Sequence, residues 1–147
     1  MALMAHDAAD RAEQLTLLTK RLAELLERET QLFRARRPLE AAPFRDEKAK
    51  LANIYRQETA RIAREPALIA GASEAARRAL AEETTRFQNA LEQNGQAIAA
   101  LQELSEGLVK SIASYVAEVR GGETAYGPGA TRTPSSAGSA ITLDRTA

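Results

Sequence analysis

The chain has 147 residues, enough for one domain, and is 44% hydrophobic but only 4% aromatic, so its apolar content is mainly Ala and Leu, both strong helix formers. Lys+Arg 20 against Asp+Glu 20 gives a formal net charge of zero, which leaves no global field to draw in nucleic acid or an anionic membrane. Cys is absent, which excludes disulfides, thiolate chemistry and Cys-based zinc sites and fits a reducing, cytoplasmic setting.

The opening segment "MALMAHDAADRAEQ" has no basic n-region and no apolar run of signal length, and no window approaches the ~18 apolar residues of a membrane span. β-branched residues are sparse and no period-2 alternation persists, so an all-α chain is expected. A first helix over about residues 8–36 opens after Asp7. It carries Leu15, Leu18, Leu22, Leu25, Glu29 and Leu32 at three- and four-residue steps, a heptad stripe interrupted by one carboxylate. The segment "RPLEAAPF" holds two prolines that neither neighbouring helix could accommodate internally, so the chain turns there. A second helix over about 44–65 presents Phe44, Lys48, Leu51, Tyr55, Glu58 and Ile62 and stops before Pro66. In the connector "EPALIAGAS", Ser73 is a suitable N-cap with Glu74 favourable in the first turn.

The third helix is expected over 73–120. Leu80, Thr84, Phe87, Leu91, Asn94, Ile98, Leu101, Ser105, Leu108, Ile112, Tyr115 and Val119 follow one another at steps of four and three. Such a sustained pattern predicts packing at small crossing angles, an antiparallel three-helix bundle or coiled coil. Gly121 and Gly122 mark its expected end. The bundle then occupies residues 1–122, and residues 123–147, rich in Gly, Ser, Thr, Ala and Pro, are expected to form a disordered tail.

Two local features have competing readings. Antiparallel pairing of the first two helices brings Glu29 and Lys48 within about one layer, either as a polar pair that fixes register or as two heads that reach solvent. Asn94-Gly95 is a turn signal, and a break there would fold Gln96 to Arg120 back as a fourth helix. The heptad phase crosses Asn94 without a stutter, and a helical Gly costs only about 1 kcal/mol, so a continuous helix is expected.

At ~1.5 Å of rise per residue, the three helices would span roughly 44, 33 and 72 Å. The third is too long for the others to cover. The uncovered seam would hold Leu101, Leu104, Leu108, Val109, Ile112, Tyr115, Val116 and Val119, each worth about 1.5 to 3 kcal/mol on burial. Exposed stripes of that size mark partner surfaces.

No constellation for catalysis is present. His6 is the single histidine, no Glu-x-x-His pair offers the ligands of a bundle di-metal site, and no Gly-rich loop follows a strand. The basic runs at Arg34 to Arg37 and Arg77-Arg78 have acidic neighbours and read as solvated faces. The sequence therefore predicts a non-enzymatic protein without metal or cofactor and without a nucleic-acid partner.

"LTLLTKRLAELLERETQLFRARRPLE" followed by "FRDEKAKLANIYRQE" resembles the FlgN-type flagellar export chaperones: a Leu-rich helix with Glu in "LLERET", a short break, and a second helix opening with a Lys-Leu pair in "EKAKL". The resemblance covers roughly residues 10–120. It implies a small cytoplasmic chaperone of type III secretion that holds hook-associated proteins, in flagellum biogenesis, until they are exported, with the export apparatus as a further partner. The family grips its client with the C-terminal helix, which maps client binding onto Leu101, Leu104, Leu108, Ile112, Tyr115, Val116 and Val119. The alternative from a different class is a structural coiled-coil adapter whose third helix pairs with its own copy as a homo-oligomer.

Overall fold

The structure, a computed structural model, describes residues 3–125, with side chains through Gly122. Its elements are α1 (Ala8–Arg34), a 3-10 helix (Pro38–Phe44), α2 (Arg45–Arg64), the single turn α3 (Ala67–Ala70) and α4 (Glu74–Ala125). Two units divide the chain between Glu106 and Gly107. The expected tail lies outside the described residues from 126 onward.

Helix boundaries follow local chemistry. Asp7 is the N-cap of α1, its Oδ1 accepting the Asp10 N–H at 2.8 Å, and the Ser73 hydroxyl accepts the Ala76 N–H at 3.1 Å at the head of α4; each satisfies a donor that the helix leaves unpaired. The helix α1 ends at Arg34, two residues before the expected position, because Arg36 adopts a φ of 60°. That left-handed residue lets the Arg37 N–H bond back to the Leu32 carbonyl at 2.8 Å, a C-cap closure. The expected turn over "RPLEAAPF" is the 3-10 helix, and α2 ends one residue before Glu65 and Pro66.

In the first unit the long helices run up, down and up. Arg11 meets Glu58, Arg21 meets Glu47, and Glu29 meets Lys48, so α2 is antiparallel to α1. Glu27 meets Arg86, and Thr30 meets Asn94, so α4 runs parallel to α1. Leu22, Ala23 and Leu26 from α1 pack with Phe87 and Ala90 from α4, and Leu51, Ala52 and Tyr55 of α2 close the cluster. The Tyr55 and Phe87 rings meet edge to face at 5.0 Å between centroids, a favoured aromatic geometry.

The polar residues on the seams are paired with one another. Glu29 is buried and accepts from Lys48 Nζ at 2.6 Å and from Asn94 Nδ2 at 3.1 Å, joining the three helices in one layer. Of the two readings of Glu29 and Lys48, the paired one holds. Glu58, 1% exposed, is bound by Arg11 Nη1 at 2.7 Å. The Leu3 N–H also donates to Glu58 at 3.2 Å, which ties the N-terminal segment to the bundle.

Two expectations are corrected. On α4 the buried stripe is Phe87, Ala90, Asn94 and Ala97, whereas Leu91 and Ile98 are 47% and 38% exposed. Small side chains allow α4 to lie close to the Leu-rich face of α1, so the seam runs through Ala positions and the adjacent larger residues turn outward. The helix also continues through Gly121-Gly122 to Ala125. Neither glycine has the positive φ of a left-handed cap, and a glycine without that geometry does not stop a helix.

The helix α4 passes through Asn94-Gly95 without a break. The turn signal loses because the Asn94 amide is engaged with Glu29 and Thr30 and its backbone gains by staying helical. A Cβ built on Gly95 meets nothing within 4 Å, so Gly95→Ala is expected to stabilise the chain by several tenths of a kcal/mol to about 1 kcal/mol. Urea denaturation measures it, and a destabilised variant would indicate a turn instead. Removing one partner of the buried pair strands the other, so Glu58→Ala is expected to cost about 3 to 5 kcal/mol in the same assay; a loss below about 1 kcal/mol would show that Arg11 finds water or another acceptor.

Candidate functional site

The apolar residues of the second unit arise from the same repeat that builds the bundle, but here they are exposed. Leu108, Ile112, Tyr115 and Val119 are spaced by four, three and four residues, which places them in one row of a helix. Val109 and Val116 form the adjoining row. Their exposures are 60% for Leu108, 61% for Val109, 55% for Ile112, 67% for Tyr115, 42% for Val116 and 43% for Val119. At about 100° per residue the six side chains occupy an arc of ~120°, with Lys110, Ser114 and Ala117 opposite. An amphipathic helix of this kind is built to bury one face, and full cover of six such side chains would be worth on the order of ten kcal/mol.

Leu101 and Leu104 belong to the first unit. Leu101 is partly buried and Leu104 is 47% exposed. With Phe33, Ala97 and Ala100 they line a groove of about 320 Å³ at the last turn of α1, which Arg34 and Arg36 also reach. Of the seven residues assigned from the sequence, two thus lie in the bundle unit and five on the helix beyond Glu106.

A larger cleft of about 550 Å³ between α1 and α4 has a different character. Its walls hold Glu27, Arg34, Glu82 and Arg86 among Thr, Asn and Gln side chains. The Arg86 guanidinium grips Glu27 through two hydrogen bonds at 2.9 and 2.7 Å, and that carboxylate holds Arg86 above its already high range. The pairing of Arg86 with Glu27 ties the two walls of the cleft together. Among the described residues no group of three or more His, Asp or Glu side chains could hold a metal ion, and no helix is long and apolar enough to cross a membrane.

The sequence reading missed Arg11, the partner of Glu58. The signal was available: the steps that link Leu15 to Leu18 and Leu22, carried four residues back, land on Arg11, a cation on the seam opposite an anion on the antiparallel helix. It also missed Arg36, whose backbone conformation leaves no mark in the composition.

The chain is 39% identical over 149 aligned positions to the flagellar basal-body protein FlbY of Caulobacter vibrioides, and the alignment covers the whole of both chains. The chain belongs to this flagellar family. No family model and no solved structure matches it. Membership in the FlbY family places it among proteins with a flagellar role, and the exposed stripe is its candidate site.

Because the stripe is in water, charges on it should not disturb folding. The double change Leu108→Glu with Ile112→Glu is expected to alter the stability of the isolated chain by less than about 1 kcal/mol, as at ordinary surface sites. Thermal denaturation by circular dichroism measures it, and a Tm lowered by ten degrees or more would make the seam internal core.

Proposed function

We propose that the chain is a cytoplasmic chaperone of flagellar type III export, which holds hook-associated proteins of the hook-filament junction and prevents their premature assembly. The observation that carries this reading is the stripe from Leu108 to Val119, apolar over ~120° of the helix and exposed along its length. Family membership supplies the flagellar context, and the resemblance of the first two helices to FlgN-type chaperones supplies the client class. The client would lay the apolar face of its own helical segment against the stripe, the helix-in-groove mode of recognition. Surfaces that later polymerise in the growing flagellum would be masked meanwhile. No bond is made or broken, and the action needs neither cofactor nor metal. Release at the export apparatus would return the stripe to water.

The width of the stripe weighs against the adapter reading. A two-stranded coiled coil covers an a/d seam of two positions in seven, whereas Leu108, Val109, Ile112, Tyr115 and Val116 fill a broader face of the kind buried in multi-helix packing. A client that offers more than one helical ridge suits it better than a single second copy of α4.

Isothermal titration of the full-length chain with the hook-associated proteins of its own flagellated host tests the reading. One of them should bind, and Leu108→Glu with Ile112→Glu should weaken that binding by at least about 3 kcal/mol, more than a hundredfold, while the variant stays folded. Absence of binding by the parent chain, together with a stable dimer in light scattering that the same double change dissociates, would replace the chaperone with the adapter.

A further inference from the structure

The end of the bundle where α1 stops has a feature that neither the core nor the proposed chaperone role uses. Arg36 sits at a φ of 60°, where an L side chain crowds its own carbonyl and glycine is the usual occupant. The closure of α1 uses only backbone atoms there: the Arg36 N–H donates to the Phe33 carbonyl at 3.1 Å and the Arg37 N–H to that of Leu32 at 2.8 Å. Glycine would form the same cap without strain. Arginine at this position therefore lowers stability, and what it adds is a guanidinium at this place.

That place is the groove lined by Phe33, Ala97, Leu101 and Leu104 together with Arg34 and Arg36. Among the described residues no carboxylate lines it. The Arg34 guanidinium donates to the neutral Gln93 side chain, and Arg36 has no ion-pair partner among the described residues. By contrast Arg37 pairs with Glu40, and Arg86 in the neighbouring cleft pairs with Glu27. The groove thus combines an apolar lining with two positive charges that no carboxylate among the described residues neutralises, in a chain whose net charge is zero. Its size, about 320 Å³, is at the low end for ligand clefts of ~300 to 1,000 Å³ and suits an anchoring side chain better than a cofactor.

We infer that this groove is a docking site for an acidic protein segment anchored by an apolar side chain: a Leu- or Ile-sized group meets Phe33, Ala97, Leu101 and Leu104, and flanking Asp or Glu carboxylates meet Arg34 and Arg36. Guanidinium groups recognise carboxylates through paired, charge-assisted hydrogen bonds. A nucleic-acid strand would use the charges but leave the apolar lining idle. The inference stands on Arg36 and is independent of the identity of any client of the stripe.

The test is fluorescence anisotropy with the full-length chain and three labelled probes: a short synthetic helical peptide with a Leu stripe flanked by Glu, the same peptide with Gln for every Glu, and a short oligodeoxythymidine. The Glu peptide should bind more tightly than the other two. Arg36→Gly should raise Tm by roughly 2 to 6 °C as strain is relieved, and should weaken the Glu peptide by about tenfold. Arg36→Lys, which keeps the charge and loses the fork, should fall between. Arg61→Ala, an equal loss of charge at the far end of α2, should leave affinity unchanged. Equal affinity for the Glu and Gln peptides, unchanged affinity in Arg36→Gly, tighter binding of the oligonucleotide, or a Tm lowered by Arg36→Gly would each overturn the inference.

Discussion

Glu29 is the point at which the three long helices of the bundle meet. Its carboxylate accepts from Lys48 on α2 and Asn94 on α4, and it is buried, so any slip of one helix would leave a charge in the core without its partner. Buried ion pairs of this kind add little net stability, because desolvation offsets the attraction, but a mispaired register costs several kcal/mol. A bundle seam rich in Ala and Leu has many nearly equivalent registers. The Glu29 layer and the Arg11–Glu58 pair together select one.

That selection determines which α4 residues serve the core. With Asn94 fixed against Thr30, Phe87 and Ala90 fall into the cluster around Leu22 and Leu26, and Ala97 reaches the last turn of α1. The residues after Glu106 continue the heptad pattern with larger side chains, Leu108, Ile112, Tyr115 and Val119, all of them exposed. The same repeat therefore packs the bundle in one part of the helix and leaves an exposed apolar face in the other, the face proposed to meet a client. The change from Ala to Leu, Ile and Tyr along α4 is what a helix needs if its first half is to approach a neighbour closely and its second half is to offer anchors to a partner.

Much of this was legible in the sequence because it rests on spacing. Proline positions, the Asp7 and Ser73 caps and the three- and four-residue steps lead to the helices and their order, and the polar intruders at Glu29 and Lys48 mark a layer for which the sequence leaves a pair and two solvated heads both open. What escaped depended on distances between helices. Spacing cannot tell that Ala90 and Ala97 outrank Leu91 and Ile98 at an interface, since the choice depends on how closely α1 and α4 approach. The end of α4 was misjudged for a related reason: Gly121 and Gly122 allow a left-handed cap but do not impose one. In the candidate site, the repeat gives the apolar residues from Leu108 to Val119 and the structure shows them exposed, whereas the arginine groove depends on a backbone angle at Arg36 that no residue pattern announces.

The central claim is that the stripe beyond Glu106 is free in the isolated chain and covered by a client. Hydrogen–deuterium exchange of the full-length protein, alone over a dilution series and then with a hook-associated protein of the same organism, addresses it residue by residue. The account predicts that amides from Leu108 to Val119 exchange much faster than those from Leu15 to Leu26 in the isolated chain, at every concentration, and that client binding slows them at least about tenfold while leaving the bundle core unchanged. Core-level protection of Leu108 to Val119 without a client, or protection that grows with protein concentration and does not respond to one, would contradict it.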